Sequence, residues 1–269
     1  MSTLLGISKA NRVKTNCRVC SKEFDAVAYE KDGVLKPLGS TCPECQNKEK
    51  EKRDAEYAEL ERVRLVNYTK QRKDELRKQI PLKFRSATFK NYDAKLQPIA
   101  YKLMSNYFEE SVILSSPNIW GVGKTHLVCA LINKLIDDAK PDQHRRIPSP
   151  FYFTTESNLL LRIRNTFKNK DEDSEDEETI YKEIKRHLIV VIDDVGKVIP
   201  ADLAFLQRVY FQIINDRYND NLFVILTTNL DLKQLSQYIG VACADRLYEM
   251  CGKENIVVMK GESYRQREV

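Results

Sequence analysis

The sequence contains no long hydrophobic run. Among its 269 residues, no stretch approaches the roughly 18 apolar residues of a membrane-spanning helix, so no membrane partner is expected. The polar start Met1-Ser2-Thr3 lacks the layout of a signal peptide, and no internal repeat is visible. These absences predict a cytoplasmic protein.

Histidine is scarce, and residues 46–79 contain neither glycine nor proline. The three histidines, His126, His144 and His187, show no metal-ligand spacing and are interpreted as structural or exposed residues. The segment 46–79 is dense in Glu, Lys and Arg, which predicts a long, solvated helix. Ile80-Pro81 is expected to end that helix and to mark a domain boundary.

The positive charge is unevenly distributed along the chain. The formal net charge is +5, and residues 1–80 hold 18 Lys and Arg against 13 Asp and Glu, whereas residues 81–269 hold 26 of each. A modestly basic N-terminal third is compatible with nucleic acid or with an acidic protein surface as partner.

Four of the seven cysteines form a metal-ligand pattern, Cys17-x-x-Cys20 and Cys42-x-x-Cys45. Without an export signal, this many cysteines favour reduced thiols or a metal over disulfides. Two such Cys-x-x-Cys pairs predict a tetrahedral zinc site. Residues 24–35 between the pairs predict a small β-hairpin. The site is expected to be structural, with the metal supplying much of the folding energy; a redox pair or idle thiols are the alternatives.

A glycine-rich turn follows the apolar stretch Val112-Ile113-Leu114 and opens a predicted helix. In this context the backbone N–H groups of the turn point at phosphate oxygens, together with the positive end of the helix. Lys124 would reach the β- and γ-phosphates, and the Thr125 hydroxyl would bind Mg²⁺. The usual pattern has glycine at position 118, where this chain has Asn118, a residue that tolerates left-handed backbone geometry. The predicted ATP-binding loop comprises Asn118, Ile119, Trp120, Gly121, Val122, Gly123, Lys124 and Thr125.

A second apolar run, Leu188 to Ile192, ends in the two carboxylates Asp193 and Asp194. An unbroken apolar strand suits a sheet that is buried on both faces. Asp193 is predicted to hold Mg²⁺, and Asp194 to orient or deprotonate the attacking water. Taken alone, Asp-Asp-x-Gly is also typical of a simple turn.

Two further polar residues are candidates for the same site. Asn229 follows the apolar strand Leu222–Leu226, where it can position water beside a γ-phosphate. Arg246 lies near the end of a predicted helix, where a surface ion pair is the alternative interpretation.

Together these residues resemble an AAA+ ATPase, in particular the DnaC/IstB-like replicative helicase loaders of bacteria and phages. The resemblance spans about residues 80–269, and the ordered set of motifs is specific to this branch. These motifs are residues 80–85, 87–93, 121–127, 192–196, 214–218, 226–230, 245–251 and 261–265.

The resemblance implies roles for individual residues. It places Lys124 and Thr125 on phosphate and Mg²⁺, with Asp193 and Asp194 as the acidic pair. Asn229 corresponds to sensor 1. Arg246 corresponds to the arginine finger, which acts at the ATP site of a neighbouring subunit. Arg265 becomes a candidate sensor 2 and Arg217 a second candidate for the finger. The resemblance thus implies Lys124, Asp194, Asn229 and Arg246 as catalytic residues.

The strand pattern predicts an α/β fold. Strands are expected near 111–115, 151–155, 188–193, 222–228 and 255–259, alternating with helices, which indicates a parallel sheet in a three-layer sandwich. Combined with the resemblance, the expected fold is an AAA+ P-loop NTPase with a five-stranded parallel sheet. Only ten residues follow Met259, which predicts little or no C-terminal lid. The expected domains are a zinc-ribbon-like module at 1–45, a charged helical linker at 46–80 and the ATPase domain at 81–269.

Two helices are expected between the second and third strands, at 157–168 and 178–186, joined by an acidic linker. This extra element resembles the insertion of initiator-type AAA+ proteins that faces single-stranded DNA. Basic residues of the first helix could follow a phosphate backbone, although a solvated basic face explains them equally well. They are Arg162, Arg164, Lys168 and Lys170.

The resulting functional prediction is an ATP-dependent loader that places a replicative DNA helicase on single-stranded DNA. Its expected cofactors are ATP, Mg²⁺ and Zn²⁺, and its expected partners are the helicase, single-stranded DNA and further copies of itself at the ATP sites. Two alternatives stay open: an IstB-like transposition helper that binds duplex DNA and a transposase, and an ATP-switched adaptor with negligible turnover.

Overall fold

The computed structural model describes residues 11–106, 110–142, 149–167, 175–197, 199 and 202–264. Residues up to 68 cluster as one compact unit, and residues from 69 onward cluster as a second. The domain boundaries expected after residues 45 and 80 stay predictions.

The first unit contains a three-stranded antiparallel sheet in the order β1–β2–β3. Asp32 and Gly33 form the tight turn between β2 and β3, and both have positive φ angles, of 54° and 75°. Two left-handed residues match the twist of a two-residue hairpin, which explains glycine here. The predicted hairpin is therefore present, and an additional strand precedes it. The strands are β1 (Arg12–Asn16), β2 (Glu23–Lys31) and β3 (Val34–Pro37).

A 35-residue helix, α1 (Pro43–Arg77), follows this sheet. The helix predicted over 46–79 is confirmed, but it begins earlier, so Cys45 lies in its first turn. Ion pairs between residues three and four positions apart, such as Arg62 with Glu59 at 2.7 Å, support an exposed helix of this composition.

The second unit is built on a five-stranded parallel sheet, which confirms the predicted α/β architecture. Its strand order is β5–β6–β7–β4–β8. The strands are β4 (Val112–Ser115), β5 (Phe151–Thr155), β6 (Ile189–Val195), β7 (Phe223–Thr228) and β8 (Ile256–Val258).

Helices connect the strands and cover both faces of the sheet, as right-handed crossovers between parallel strands require. Two short 3₁₀ helices, Leu82–Phe84 and Phe89–Asn91, precede them. No α-helix follows β8 within the described residues. The helices are α2 (Pro98–Ser105), α3 (Lys124–Asp138), α4 (Glu156–Thr166), α5 (Glu177–Lys185), α6 (Leu203–Asn219), α7 (Leu232–Ile239) and α8 (Val241–Cys251).

Two hydrophobic cores lie on opposite faces of the sheet. Val190 and Ile192 of β6 contribute to the core that contains residues of α4 to α8, whereas Ile189 and Val191 contribute to the core that contains residues of α2 and α3. Successive residues of a strand point to opposite faces, so a strand buried on both sides must be apolar throughout. This is the three-layer arrangement that the sequence predicts.

None of the described helices combines the length and the apolar character that are needed to cross a membrane.

Candidate ATP-binding site

The carboxyl ends of β4, β6 and β7 lie side by side in the sheet, and the loop between β4 and α3 starts at this edge. Asn118 has a φ angle of 57°, so the residue that replaces glycine adopts the left-handed geometry it tolerates. Its N–H donates to the Asn229 carbonyl at 3.1 Å, which ties the loop to the end of β7. The loop then ends at Gly123, the N-cap of α3.

Gly123 has no space for a side chain. Its φ angle is 97°, and a Cβ would lie 2.6 Å from Cε2 of Tyr92. The Tyr92 hydroxyl donates to the Val122 carbonyl at 3.1 Å. The residues before the ATPase sheet therefore form a wall against the glycine-rich loop.

The Lys124 ammonium group is buried and donates to the side chains of two strand ends. It contacts Asn229 Oδ1 at 2.6 Å and also the Ser116 hydroxyl. The predicted phosphate-binding cation and the predicted sensor therefore lie in direct contact.

Thr125 and Asp193 also meet directly, with the Thr125 hydroxyl donating to the two carboxylate oxygens at 3.1 and 3.0 Å. The Thr227 hydroxyl donates to Asp193 Oδ1 at 2.6 Å. Burial raises the pKa of the Asp193 carboxyl above its usual value. A hydroxyl beside a buried carboxylate is a donor set that fits Mg²⁺.

Asp194 lies in an irregular part of β6. The pairing of β6 with β7 shifts register between Ile192 and Val195, and Asp194 has a φ angle of 59°. Its N–H donates to the Thr227 hydroxyl at 2.9 Å, and its carboxylate pairs with Lys197 at 3.1 Å. A bulge beside a functional site re-aims a side chain, and here Asp194 is one of the residues that line the pocket.

Many of these residues line one cavity of about 260 Å³. Its lining includes the predicted loop from Trp120 to Thr125, together with Asp194 and Asn229, but not Asn118, Ile119 or Asp193. The cavity is lined by Lys83, Phe84, Asn91, Tyr92, Asp93, Leu96, Trp120, Gly121, Val122, Gly123, Lys124, Thr125, His126, Asp194, Lys197, Asn229 and Tyr264.

Arg246 does not line this cavity. It lies on α8 with its guanidinium carbon 5.0 Å from the ring centroid of Phe211 and 6.0 Å from that of Tyr218, both on α6. Its Nη1 atom is buried without a hydrogen-bond partner. Its role as a finger for another subunit stays a prediction, and Arg265 lies outside the described residues.

Arg217, the second candidate for the arginine finger, is buried in the structure, and its role as a finger stays a prediction. Its guanidinium group is buried and donates to four backbone carbonyls at 2.6 to 3.2 Å. Burial lowers the pKa of Arg217 to about 10. This guanidinium group joins the end of α5 to the starts of β6 and β7. The four carbonyls belong to Ile184, His187, Leu188 and Phe223.

Arg162, one of the basic residues for which a phosphate contact and a solvated face were both open, is held within the chain. It pairs with Glu175 and Glu183 and donates to the Tyr152 hydroxyl at 2.8 Å. Lys168 and Lys170 lie outside the described residues.

Aromatic rings and guanidinium groups also lie together where the end of α4 meets the first turns of α6. Arg164 lies 5.4 Å from the Phe205 ring centroid, and Arg208 lies 5.6 Å from Phe205 and 5.9 Å from Phe167. Phe167 is 52% exposed. We call these four residues of α4, α6 and their ends the aromatic–arginine surface.

The four cysteines of the predicted zinc site converge in the first unit. The Sγ atoms of Cys17, Cys20, Cys42 and Cys45 all lie within 4.8 Å of one another, which could hold a metal ion. The N–H groups of Cys42 and Val19 donate to Cys17 Sγ at 3.3 and 3.4 Å. The Cys42 bond in particular lowers the pKa of the Cys17 thiol to about 6. Four cysteines in this arrangement fit zinc, which binds thiolates.

Sequence reasoning gave no role to several residues of the site. Tyr92 and Tyr264 belong to motifs that carry the family resemblance, and Ser116 follows β4 directly. These residues lie against the glycine-rich loop because distant segments pack together. For example, the Tyr264 N–H donates to the Gly121 carbonyl at 2.9 Å.

Comparison with known proteins gives a family match over most of the chain. A model of the family described as IstB-like ATP binding protein matches residues 60–269. No curated protein matches the chain significantly.

Solved structures share the fold at low sequence identity. The DnaC helicase loader is 20% identical with a TM-score of 0.49, over 67% of this chain and 100% of that chain. DnaI is 18% identical with a TM-score of 0.48, over 68% and 93%. A protein from Streptococcus pyogenes serotype M3, described as a candidate primosome component, is 14% identical with a TM-score of 0.50, over 71% and 97%. The last likeness supports the α/β fold described above.

Proposed function

The chain belongs to the IstB-like ATP binding protein family, and from this premise we propose that it loads a replicative DNA helicase onto single-stranded DNA. In this proposal, the second unit binds and hydrolyses ATP. The first unit, with its cysteine cluster, holds the helicase.

One observation carries the ATPase part of the proposal. Lys124, Thr125, Asp194 and Asn229, which come from three different chain segments, line one cavity at the carboxyl edge of a parallel sheet. In such folds ligands bind outside the carboxyl ends of the strands. A buried ammonium group, backbone N–H groups and a helix N-terminus together provide the positive environment that a triphosphate needs.

The residues divide the work of phosphoryl transfer to water. The Lys124 ammonium group would bind the β- and γ-phosphates after giving up its hydrogen bonds to Ser116 and Asn229. Thr125 and Asp193 would hold Mg²⁺, which when bound neutralises charge on the phosphate oxygens. Asp194 would orient the water and accept its proton. Asn229 would hold that water in line.

The aromatic–arginine surface supports contact with single-stranded DNA. Exposed aromatic rings stack on unpaired bases, and arginine pairs with phosphates. Phe167 offers an exposed ring with Arg208 beside it, and Arg164 lies over the adjoining Phe205 ring. Arg208 also pairs with Glu177 at 2.6 Å, so Arg164 is the arginine of this surface with no ion pair among the described residues to exchange for a phosphate. The helicase part draws on the resemblance to helicase loaders and on the DnaC helicase loader among the similar structures.

The DNA part is tested by fluorescence anisotropy with labelled oligo-dT and the full chain. Phe167→Ala should weaken binding by about tenfold, since one stacked base contributes ~1–3 kcal/mol. Tyr57→Ala, which removes an exposed ring from α1, should leave the affinity unchanged. Equal affinity of wild type and Phe167→Ala would contradict this use of the surface.

The family match itself favours a second candidate, a transposition helper related to IstB. That function requires duplex DNA. A preference for oligo-dT over a duplex of equal length supports the loader, whereas ATP-dependent assembly on duplex DNA supports the transposition helper.

A further inference from the structure

Glu156 is a buried carboxylate that does not line the ATP pocket. It is 1% exposed and is the first residue of α4, directly after β5. Thr155 pairs in register with Asp193 across the parallel strands. Glu156, which begins α4, and Asp194, which lies within β6, follow this pair directly at the same edge of the sheet.

Three donors from separate segments converge on this carboxylate. The Gly196 N–H donates to Oε2 at 3.0 Å, and the Tyr238 hydroxyl of α7 donates to the same oxygen at 3.1 Å. The Tyr210 hydroxyl of α6 donates to Oε1 at 2.7 Å. Each of these three groups donates to the carboxylate, and its place in the first turn of α4 favours a negative charge.

The bond to Gly196 fixes a strained part of the backbone. Asp194 and Gly196 have φ angles of 59° and 82°. On its other side Gly196 is packed so closely against Leu230 that no Cβ would fit. Non-glycine residues in left-handed geometry persist only where the surroundings impose it, and Glu156 supplies part of that constraint.

From this geometry we infer that Glu156 is a positioning residue for ATP hydrolysis. Its carboxylate anchors the Gly196 N–H, holds the turn from Asp194 to Gly196 and thereby sets the direction of the Asp194 side chain. The inference rests on the proposed role of Asp194 in orienting water. Because Glu156 acts through the turn and not on the nucleotide, it should affect kcat and leave ATP binding unchanged.

Steady-state hydrolysis and ATP affinity of the full chain test the inference. Trp120 is the single tryptophan of the sequence and lines the pocket, so its fluorescence reports binding. Glu156→Ala should lower kcat by about 10²-fold, the cost of a misplaced catalytic group, while the Kd for ATP stays within about threefold. Glu156→Gln should restore most of kcat, because its amide oxygen can accept the Gly196 N–H.

Tyr210→Phe is the matched control for stability. It removes a buried hydrogen bond to Glu156 Oε1 but leaves the Gly196 bond intact, so kcat should stay within about threefold of wild type. If Glu156→Ala does not fold, Glu156→Asp takes its place, because the shorter side chain keeps the charge but no longer reaches Gly196. Its kcat should fall by about tenfold or more.

Wild-type kcat in Glu156→Ala or Glu156→Asp, or an equal loss in Tyr210→Phe, would overturn the inference. A wild-type chain without ATP hydrolysis would instead contradict the proposed function, and the inference with it. The two failures are therefore distinguishable.

Discussion

Lys124 and Asp194 carry opposite charges at the same pocket, and each should govern a different step. Lys124→Ala removes the main cation facing the phosphates and should cost about 2–4 kcal/mol of ATP binding or transition-state stabilisation. Asp194→Asn keeps the shape but loses the base, so binding should persist while turnover is abolished. Trp120 fluorescence and phosphate release separate the two effects. Undiminished hydrolysis by both variants would rule out this site.

Arg217 shows how a single buried residue can hold several elements together. Arg217→Met fills similar space but leaves four carbonyls without their charged donor, which should destabilise the chain by on the order of 3 kcal/mol in urea unfolding. Exposed Arg186 provides the matched control, since Arg186→Met should change stability little. Unchanged stability of Arg217→Met would contradict the structural role.

At the scale of elements, we expect the β-sheet of the first unit to depend on a metal held by its cysteine cluster. About one Zn²⁺ per chain should copurify with the protein. Cys42→Ser should lose this metal and unfold the first unit while ATP binding persists, because so small a sheet has little core of its own. Cys129→Ala, which changes a buried thiol outside the cluster, should retain zinc. Elemental analysis of freshly purified, reduced protein that finds no metal would defeat this prediction.

The elements that the sequence predicts are those with a strong local signal. The apolar run of β6 and the charged run of α1 fix their type and approximate ends without tertiary information. β1 was not predicted because Arg12–Asn16 is short and polar. This segment forms a strand through its pairing with β2. The bulge at Asp194, the burial of Arg217 and the convergence on Glu156 depend on contacts between distant segments, which no local pattern encodes.

For the whole molecule, the position of Arg246 outside its own pocket leads to a prediction about assembly. If Arg246 completes the site of a neighbouring copy, turnover per subunit should rise with protein concentration. Arg246→Ala should bind ATP but hydrolyse it poorly, and mixing it with Asp194→Asn should recover activity. Such mixtures contain interfaces that join an intact pocket to an intact arginine. Concentration-independent turnover without complementation would show that Arg246 does not act between subunits.

The central claim is that ATP binding by this chain places a helicase on single-stranded DNA. Loading of the helicase onto circular single-stranded DNA tests this claim most directly. A ring-shaped helicase cannot thread onto a circle without ends unless its ring is opened. The measurement is the amount of labelled replicative helicase from the source organism that stays on circular single-stranded DNA after a salt wash. We predict retention with wild-type chain and ATP, and only background retention with Lys124→Ala or without the chain. Equal retention in all three reactions would contradict the account.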